Sequence, residues 1–424
     1  MRRAARFVLH SVLAAFAILF TASASPAQQP LRIGIVSLIS GPAAGPFGVP
    51  ARNAAELTAE MLNAGTVPAP YTQKGFGGRP VELVIIDENG GPQKQVTEFR
   101  NLAPRVDIVI GYISSGDCLA IAPVAEELKK LTVLFDCGTP RIFEDGNYKY
   151  VFRTGPTGTM DNVSVALYLV ERFPNVKSFA GINQNYAWGQ DSWADFEGAM
   201  KTLRPGVEVK TSQMPKLFAG QFGAEITTLL GSGAEVIHSS LWGGDLEGLV
   251  LQGAPRGLFE KHKVILSAGE PAINRLGARI PDGTILGARG PFGPFAPDTE
   301  LARWLKTAYA DRYQVPPNYA SFKMAQALLG VKAAYEKAKG SGSDEPDQDK
   351  IIAAFENLTF EGPGGTVKMA LGKGHQAVMD AAVGTTKVQN GQLTIVDVAR
   401  YPADKVTPPD GVKSEAWLKS GLKK

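Results

Sequence analysis

Residues 106–140 read VDIVIGYISSGDCLAIAPVAEELKKLTVLFDCGTP and set out one complete strand–loop–helix–strand–loop unit. Residues 106–110 are a short apolar run rich in Val and Ile, which suit a pleated, buried surface. Gly111 ends the run, and Ser114-Ser115-Gly116 lead into a helix expected over 118–130. A second apolar run over 131–135 stops at Asp136-Cys137-Gly138-Thr139-Pro140. A helix between two apolar strands makes a βαβ unit, and hence a parallel sheet. In open sheets of this class, ligands bind beyond the carboxyl ends of the strands. Both loops lie there, which makes them the first place to look for a site.

The same alternation extends outward. Upstream, strands are expected over 31–36 and 81–86, with a helix over 49–63 and a polar insertion over 65–78. The second of these strands ends in Asp87-Glu88, and Pro92 opens the helix that follows. Downstream, 149–154 is strand-like without a helix of its own, which suits a crossover. Strands over 178–182, 207–214, 236–240, 264–267 and 284–288 then alternate with helices at 188–203, 222–230, 246–253 and 271–276. That is a second sheet of the same class. Two long helices follow, over 298–313 and 319–339, then a polar connector over 340–349. Residues 359–369 and 385–398 alternate apolar and polar side chains, as edge ribbons do, with Asn390-Gly391 as a hairpin turn. From Pro402 the chain is mostly polar.

The chain has 424 residues, too many for one comfortable core, so two lobes are expected. At its start Arg2, Arg3 and Arg6 precede an apolar run over 7–20, followed by Ala22-Ser23-Ala24 and Ser25-Pro26-Ala27. This is the layout of a secretory signal peptide over 1–27. The run falls short of the ~20 apolar residues of a spanning helix. No cysteine follows it to take a lipid, so a soluble, secreted chain is expected. Of the net charge of +3, all is carried by the three arginines of that leader. A neutral mature chain gives no reason to expect nucleic acid or anionic lipid as a partner. Cys118 and Cys137 are the only cysteines. Two readings stand for them: a disulfide formed in an oxidising compartment, or two buried free thiols.

Catalytic and cofactor motifs are absent. There is no G-x-S-x-G elbow, no phosphate-cradling loop ending in Lys and Ser or Thr, and no dinucleotide fingerprint after the first strand. His238, His262 and His375 stand far apart, with no zinc-like spacing. No cofactor or metal is expected. Candidates for a binding site remain, each with an alternative reading. Ser114 and Ser115 begin a helix, where amides and hydroxyls hold an anion or merely cap. Gly138 and Thr139 repeat that arrangement, and Arg141 is either a carboxylate partner or a solvated turn residue. Trp188 and Trp242 follow second-lobe strands, as an aromatic wall or as ordinary packing. Glu270 also follows a strand, either to hold a cationic group or as part of a helix's first turn.

Taken in order, several stretches resemble one family. They are Ile33-Gly34-Ile35 to Ser40-Gly41-Pro42, Val84-Ile85-Ile86-Asp87-Glu88-Asn89, and Ile110-Gly111-Tyr112 with Ala122-Pro123-Val124-Ala125-Glu126. Tyr150-Val151-Phe152-Arg153-Thr154, Tyr186-Ala187-Trp188-Gly189, Tyr319-Ala320 and Phe360-Glu361-Gly362 continue the series. The chain resembles the leucine/isoleucine/valine-binding type of ABC-transporter substrate-binding protein. The resemblance implies an α/β type I periplasmic-binding-protein fold, with two lobes, each a parallel sheet flanked by helices, joined by three hinge crossovers. Lobe one would cover 31–151 plus 290–361, lobe two 152–289 plus 362–405, and 406–424 would be a tail. The crossovers would lie near 150–154, 288–292 and 360–365. The resemblance further implies a periplasmic, monomeric protein that closes on a small solute and hands it to an ABC permease.

By the same resemblance, Ser114, Ser115, Cys137, Gly138 and Thr139 would hold a ligand's carboxylate and ammonium, and Glu270 its ammonium. Trp188 stands where the family usually has Tyr, and Trp242 falls near another aromatic position. Asp117, Cys137 and Arg141 depart from a plain branched-chain amino acid binder. Glu270 is retained, so an amino acid is expected ahead of amides and aromatic carboxylates. A periplasmic sensor is the alternative role, and a hydrolase using Asp117, Cys137 or Glu270 a remote one.

Overall fold

The computed structural model describes residues 29–423, and the leader expected over 1–27 lies outside them. Five apolar runs form β1 (Leu31–Ser37), β2 (Val81–Asp87), β3 (Ile108–Gly111), β4 (Thr132–Leu134) and β5 (Val151–Arg153). They pair in parallel in the order β5-β4-β3-β1-β2. Every residue of β3, β4 and β5 is buried, as in parallel strands covered on both faces. The chain then crosses to a second sheet of β6 (Ser178–Ile182), β7 (Glu208–Gln213), β8 (Val236–Ser239), β9 (Lys263–Leu266) and β10 (Ile285–Gly287). These too are parallel, in the order β10-β9-β8-β6-β7.

After β10 the chain returns to the first lobe, where the helix Tyr319–Lys339 packs along the helix Val49–Ala64. Then come β11 (Thr359–Gly362), β12 (Gly365–Leu371) and β13 (Gln376–Val378), which extend the first sheet beyond β5. Last, β14 (Ala381–Gln389) and β15 (Gln392–Tyr401) form a hairpin on the edge of the second sheet beside β10. Asn390 and Gly391 turn it, with φ of 53° and 76°, the left-handed conformations that a two-residue hairpin turn needs.

Two expectations are corrected. Neither sheet is parallel throughout: β12 runs antiparallel to β11 and β13, and β14 antiparallel to β10 and β15. Gly362 pairs with Gly365 across a two-residue turn, and so short a link joins only antiparallel strands. The third crossover also shifts. The resemblance places residues 362–378 in the second lobe, but β12 and β13 lie in the first sheet, so the chain changes lobes over 379–380. The ribbon folds back on itself before it leaves.

The C-terminal residues are docked. The helix Ser414–Lys419 packs against the second-lobe helix Ala187–Leu203, and Trp417 is buried there. The polar insertion is pinned as well: the Tyr71 hydroxyl donates to the Glu361 carbonyl at 2.6 Å, and Lys332 Nζ to the Gln73 carbonyl at 2.9 Å.

Candidate functional site

Between the lobes, the loops after β3 and β4 face those after β6, β8, β9 and β10. The loop after β3 is occupied by the protein's own groups. The Glu88 carboxyl, fully buried, accepts from the Ile113 amide at 2.8 and 2.9 Å and from the Ser114 amide at 2.7 Å. Burial, and then the nearby Asp117, push its pKa well above the usual carboxyl range. Burial likewise raises Asp117 to about 6. Burying two carboxyls together disfavours a charge on both at once. Ser114 caps its helix, accepting from the Asp117 amide at 3.5 Å. The Ser115 hydroxyl oxygen accepts from the amides of Gly138 and Thr139, each at 3.2 Å.

Cys118 and Cys137 are joined as a disulfide. It ties the helix after β3 to the loop after β4. That loop then reaches across to the second lobe. Thr139 Oγ1 donates to Asp191 Oδ2 at 2.6 Å, and Arg141 Nε donates to Asp191 Oδ1 at 2.9 Å. Asp191 belongs to the helix Ala187–Leu203. The Gly158 amide also donates to the Gly138 carbonyl at 2.6 Å. These contacts hold the lobes together.

A narrow cavity of about 10 Å³, room for little more than one water-sized sphere, remains between them in this closed arrangement. Tyr186, Trp188, Trp242 and Tyr319 form its aromatic wall, with Ile113, Ser115, Gly138 and Ala268 between the rings. Each indole is fixed by its own N–H: Trp188 donates to the Ser240 carbonyl at 2.9 Å, Trp242 to the Tyr186 hydroxyl at 2.8 Å. Gly138 is small of necessity, because a Cβ there would lie 2.3 Å from the Trp188 ring and 2.6 Å from Arg289 Nη2.

Arg289 and Asp136 complete the wall. Arg289 sits in the crossover after β10 and is 5% exposed. Its Nη1 donates to Asp136 Oδ1 and to the Asp136 carbonyl, both at 2.7 Å, and its Nε to Asp161 Oδ2 at 3.0 Å. Asp136 comes from the first lobe and Asp161 from the second-lobe helix Gly158–Arg172, so one guanidinium spans both. Its carbon lies 4.5 Å from the centroid of the Trp188 ring, a cation–π distance. Lys323 Nζ also donates to Asp136 Oδ1, at 2.7 Å. Two cations and two carboxylates thus meet in the buried interior. Burial works against the charge on Arg289, but Asp136 and Asp161 outweigh it and raise its pKa. Burial, with Arg289 alongside, pushes Lys323 down to about 8. Two atoms of this group have no partner among the described residues: Arg289 Nη2 and Asp136 Oδ2.

The family's sequence model, described as periplasmic binding protein, matches residues 30–392. The chain belongs to the periplasmic binding protein family. A leucine-, isoleucine-, valine-, threonine- and alanine-binding protein of Pseudomonas aeruginosa is 23% identical over 365 residues, 85% of this chain and 91% of that one. A Leu/Ile/Val-binding protein homolog of Brucella melitensis is 24% identical over 377 residues, 85% of each. Among solved structures, a solute-binding protein of an ABC transporter from Rhodopseudomonas palustris BisB5, in complex with 3,4-dihydroxybenzoic acid, superposes with a TM-score of 0.75. It is 20% identical, over 88% of this chain and 98% of that one. The closed form of a leucine-, isoleucine-, valine-, threonine- and alanine-binding protein from Brucella ovis gives 0.75 at 22% identity, over 90% and 97% of the chains.

In this periplasmic binding protein the expected residues divide. Ser115, Gly138, Trp188 and Trp242 border the cavity. Ser114 caps a helix and Cys137 is bonded to Cys118. Thr139 and Arg141 bind Asp191 instead of facing the cavity. Glu270 is buried, and its Oε2 accepts from the Tyr319 amide at 2.9 Å, which places it at the start of the helix Tyr319–Lys339. Burial raises its pKa to about 8. Sequence reasoning missed Arg289, Asp136, Asp161 and Lys323. Asp136 stands in the loop already singled out, but its charge partners lie far along the chain and share no spacing with it. Among the described residues no group of His, Cys, Asp and Glu could hold a metal, and no helix is long and apolar enough to cross a membrane.

Proposed function

We propose that this protein is the solute-binding component of an ABC importer, exported by its 1–27 leader, and that it closes its lobes on a small organic acid. Arg289 is the chief support. It is a buried guanidinium with a spare donor, Nη2, and it lies on an indole at the edge of a ring-lined cavity. A carboxylate suits that donor, because charge-assisted hydrogen bonds to guanidinium are among the strongest available. The aromatic wall takes the remainder of the solute.

Asp136 Oδ2 supplies an acceptor of the opposite sign on the same cavity. An α-amino acid uses both spare atoms, with its carboxylate toward Arg289 and its ammonium toward Asp136. Glu270 is not needed for this arrangement. An aromatic carboxylate uses Arg289 and the rings alone. The amino acid is therefore the favoured class, in keeping with the names of the Pseudomonas and Brucella relatives. As a carrier the protein releases its solute unchanged to a permease and acts as a monomer.

The test is a thermal-shift screen of the mature chain against amino acids and hydroxybenzoates. Binding to the folded state alone adds about 2.7 kcal/mol of stability at a hundredfold excess over Kd. Amino acids should raise Tm, and Arg289→Lys should weaken the effect at least tenfold, since Lys lacks the forked geometry. A shift with hydroxybenzoates alone would replace the amino acid by an aromatic acid. Unaltered affinity in Arg289→Lys would remove Arg289 from the site.

A further inference from the structure

The chain beyond β15 lies outside the residues matched by the family's sequence model, and it passes between the lobes twice more. The short helix Ala403–Val406 packs on the second-lobe helix Gly158–Arg172, with Val406 buried. Four positions on, the chain is fastened to the first lobe. Asp410 Oδ1 accepts from the Gly372 amide at 2.7 Å, just past β12, and Lys413 Nζ donates to Asp145 Oδ1 at 2.6 Å. By Trp417 it is back on the second lobe, buried against the helix Ala187–Leu203, where Thr202 Oγ1 donates to the Leu418 carbonyl at 2.7 Å.

Ser414, which is buried, touches both lobes at once. Its amide donates to Glu144 Oε1 at 3.0 Å, and its hydroxyl bonds the same carboxyl. Glu144 ends the first-lobe helix Arg141–Glu144. On its other side the Ser414 hydroxyl lies 2.7 Å from Thr159 Oγ1, which is bonded to Asp195 Oδ2 at 2.8 Å. Thr159 and Asp195 belong to the second-lobe helices Gly158–Arg172 and Ala187–Leu203. Residues 408–413 also share a recess with Arg153 and Thr157, at the two ends of the first crossover, and with Gln376 of β13, just before the last. The segment therefore lies across the hinge. Its links leave little slack. Three residues separate Val406 from Asp410, two of them Pro408 and Pro409, and proline fixes φ. Ser414 and Trp417 lie within one helix. Lobes that swing apart must release the ties to the first lobe.

We infer that residues 402–420 form a strap across the hinge that limits how far the lobes open. The strap holds the free protein nearer its closed form. A carrier whose binding-competent form is more populated takes its solute more tightly, and this last step alone rests on the solute-capture reading above.

The test compares the mature wild-type chain with a triple variant, Asp410→Ala with Lys413→Ala and Ser414→Ala, which cuts the side-chain ties to the first lobe and leaves Trp417 in place. Glu415→Ala is the control, since that carboxylate pairs with Lys419 of its own helix. Small-angle scattering without solute should give a larger radius of gyration for the triple variant than for wild type or control. The Gly244 amide donates to the Pro42 carbonyl across the cleft at 3.1 Å, far from every substituted residue. Its hydrogen exchange should become about tenfold faster as opening becomes easier. Where L-leucine binds, its affinity should fall about threefold in the triple variant. Should the triple variant not fold, Asp410→Ala with Lys413→Ala, both at exposed positions, takes its place. An unaltered radius with unaltered Gly244 exchange overturns the strap, and so does an equal expansion in Glu415→Ala. L-leucine that binds neither chain counts against the capture reading and not against the strap, which scattering and exchange decide on their own.

Discussion

Glu270 is a carboxyl that burial keeps protonated, and this fixes the sign of its effect on stability. Its pKa rises from 4.5 to about 8 in the folded chain. Between those values the folded state holds a proton that the unfolded state releases, so stability falls as pH rises. The contribution is complete below about pH 4.5 and lost through pH 8. Glu270→Gln keeps an acceptor for the Tyr319 amide and removes the titration. Urea denaturation across pH 5–8 should show a flatter profile and higher stability at pH 8, while amino acid affinity changes less than threefold. A tenfold loss of affinity would return Glu270 to the ligand. The same residue shows where sequence reading stops. A glutamate after a strand, between Gly269 and Pro271, looks alike whether it meets an ammonium group or caps a helix 49 positions on. Ser114 and Ser115 pose the same difficulty. They read as an anion site, and only the fold reveals that Glu88 takes the Ser114 amide while the two hydroxyl oxygens accept from amides of the protein itself.

At the scale of elements, strand and helix positions are legible because burial imposes a period on the sequence, and those periods survive in both sheets. What is not legible is which sheet a short ribbon joins. Residues 365–371 alternate as an edge strand in either lobe, and only pairing of β13 beside β5 assigns them to the first. The disulfide is a comparable case, since two cysteines 19 residues apart are compatible with a bridge or with free thiols. The bridge closes a loop of that length, which by chain entropy contributes about 3 kcal/mol. Mass spectrometry of unfolded, unreduced protein should find no alkylatable thiol. Cys118→Ser with Cys137→Ser should lower stability by about 2–4 kcal/mol in urea. Two alkylatable thiols would exclude the bridge.

For the whole molecule, what matters is the balance between open and closed lobes. Arg141 and Thr139 of the first lobe meet Asp191 of the second, outside the cavity wall. Arg141 is partly exposed, so its pair with Asp191 is worth only about 0.2–1 kcal/mol. Arg141→Ala should therefore favour the open form mildly. Solute affinity should fall by about twofold to fivefold, and small-angle scattering should show a slightly larger average radius without solute. Unaltered affinity and radius would mean that this pair does not report on closure. Closure also changes the setting of two of the chain's five tryptophans. Trp188 lies on the second lobe, within reach of Gly138 on the first and beneath the guanidinium that spans them, and Trp242 packs edge-on to Phe47 of the first lobe at 5.3 Å. Parting the lobes would strip both indoles of those neighbours and admit water to them. The protein thus carries its own fluorophores at its moving seam, and its ultraviolet emission should report occupancy with no label attached.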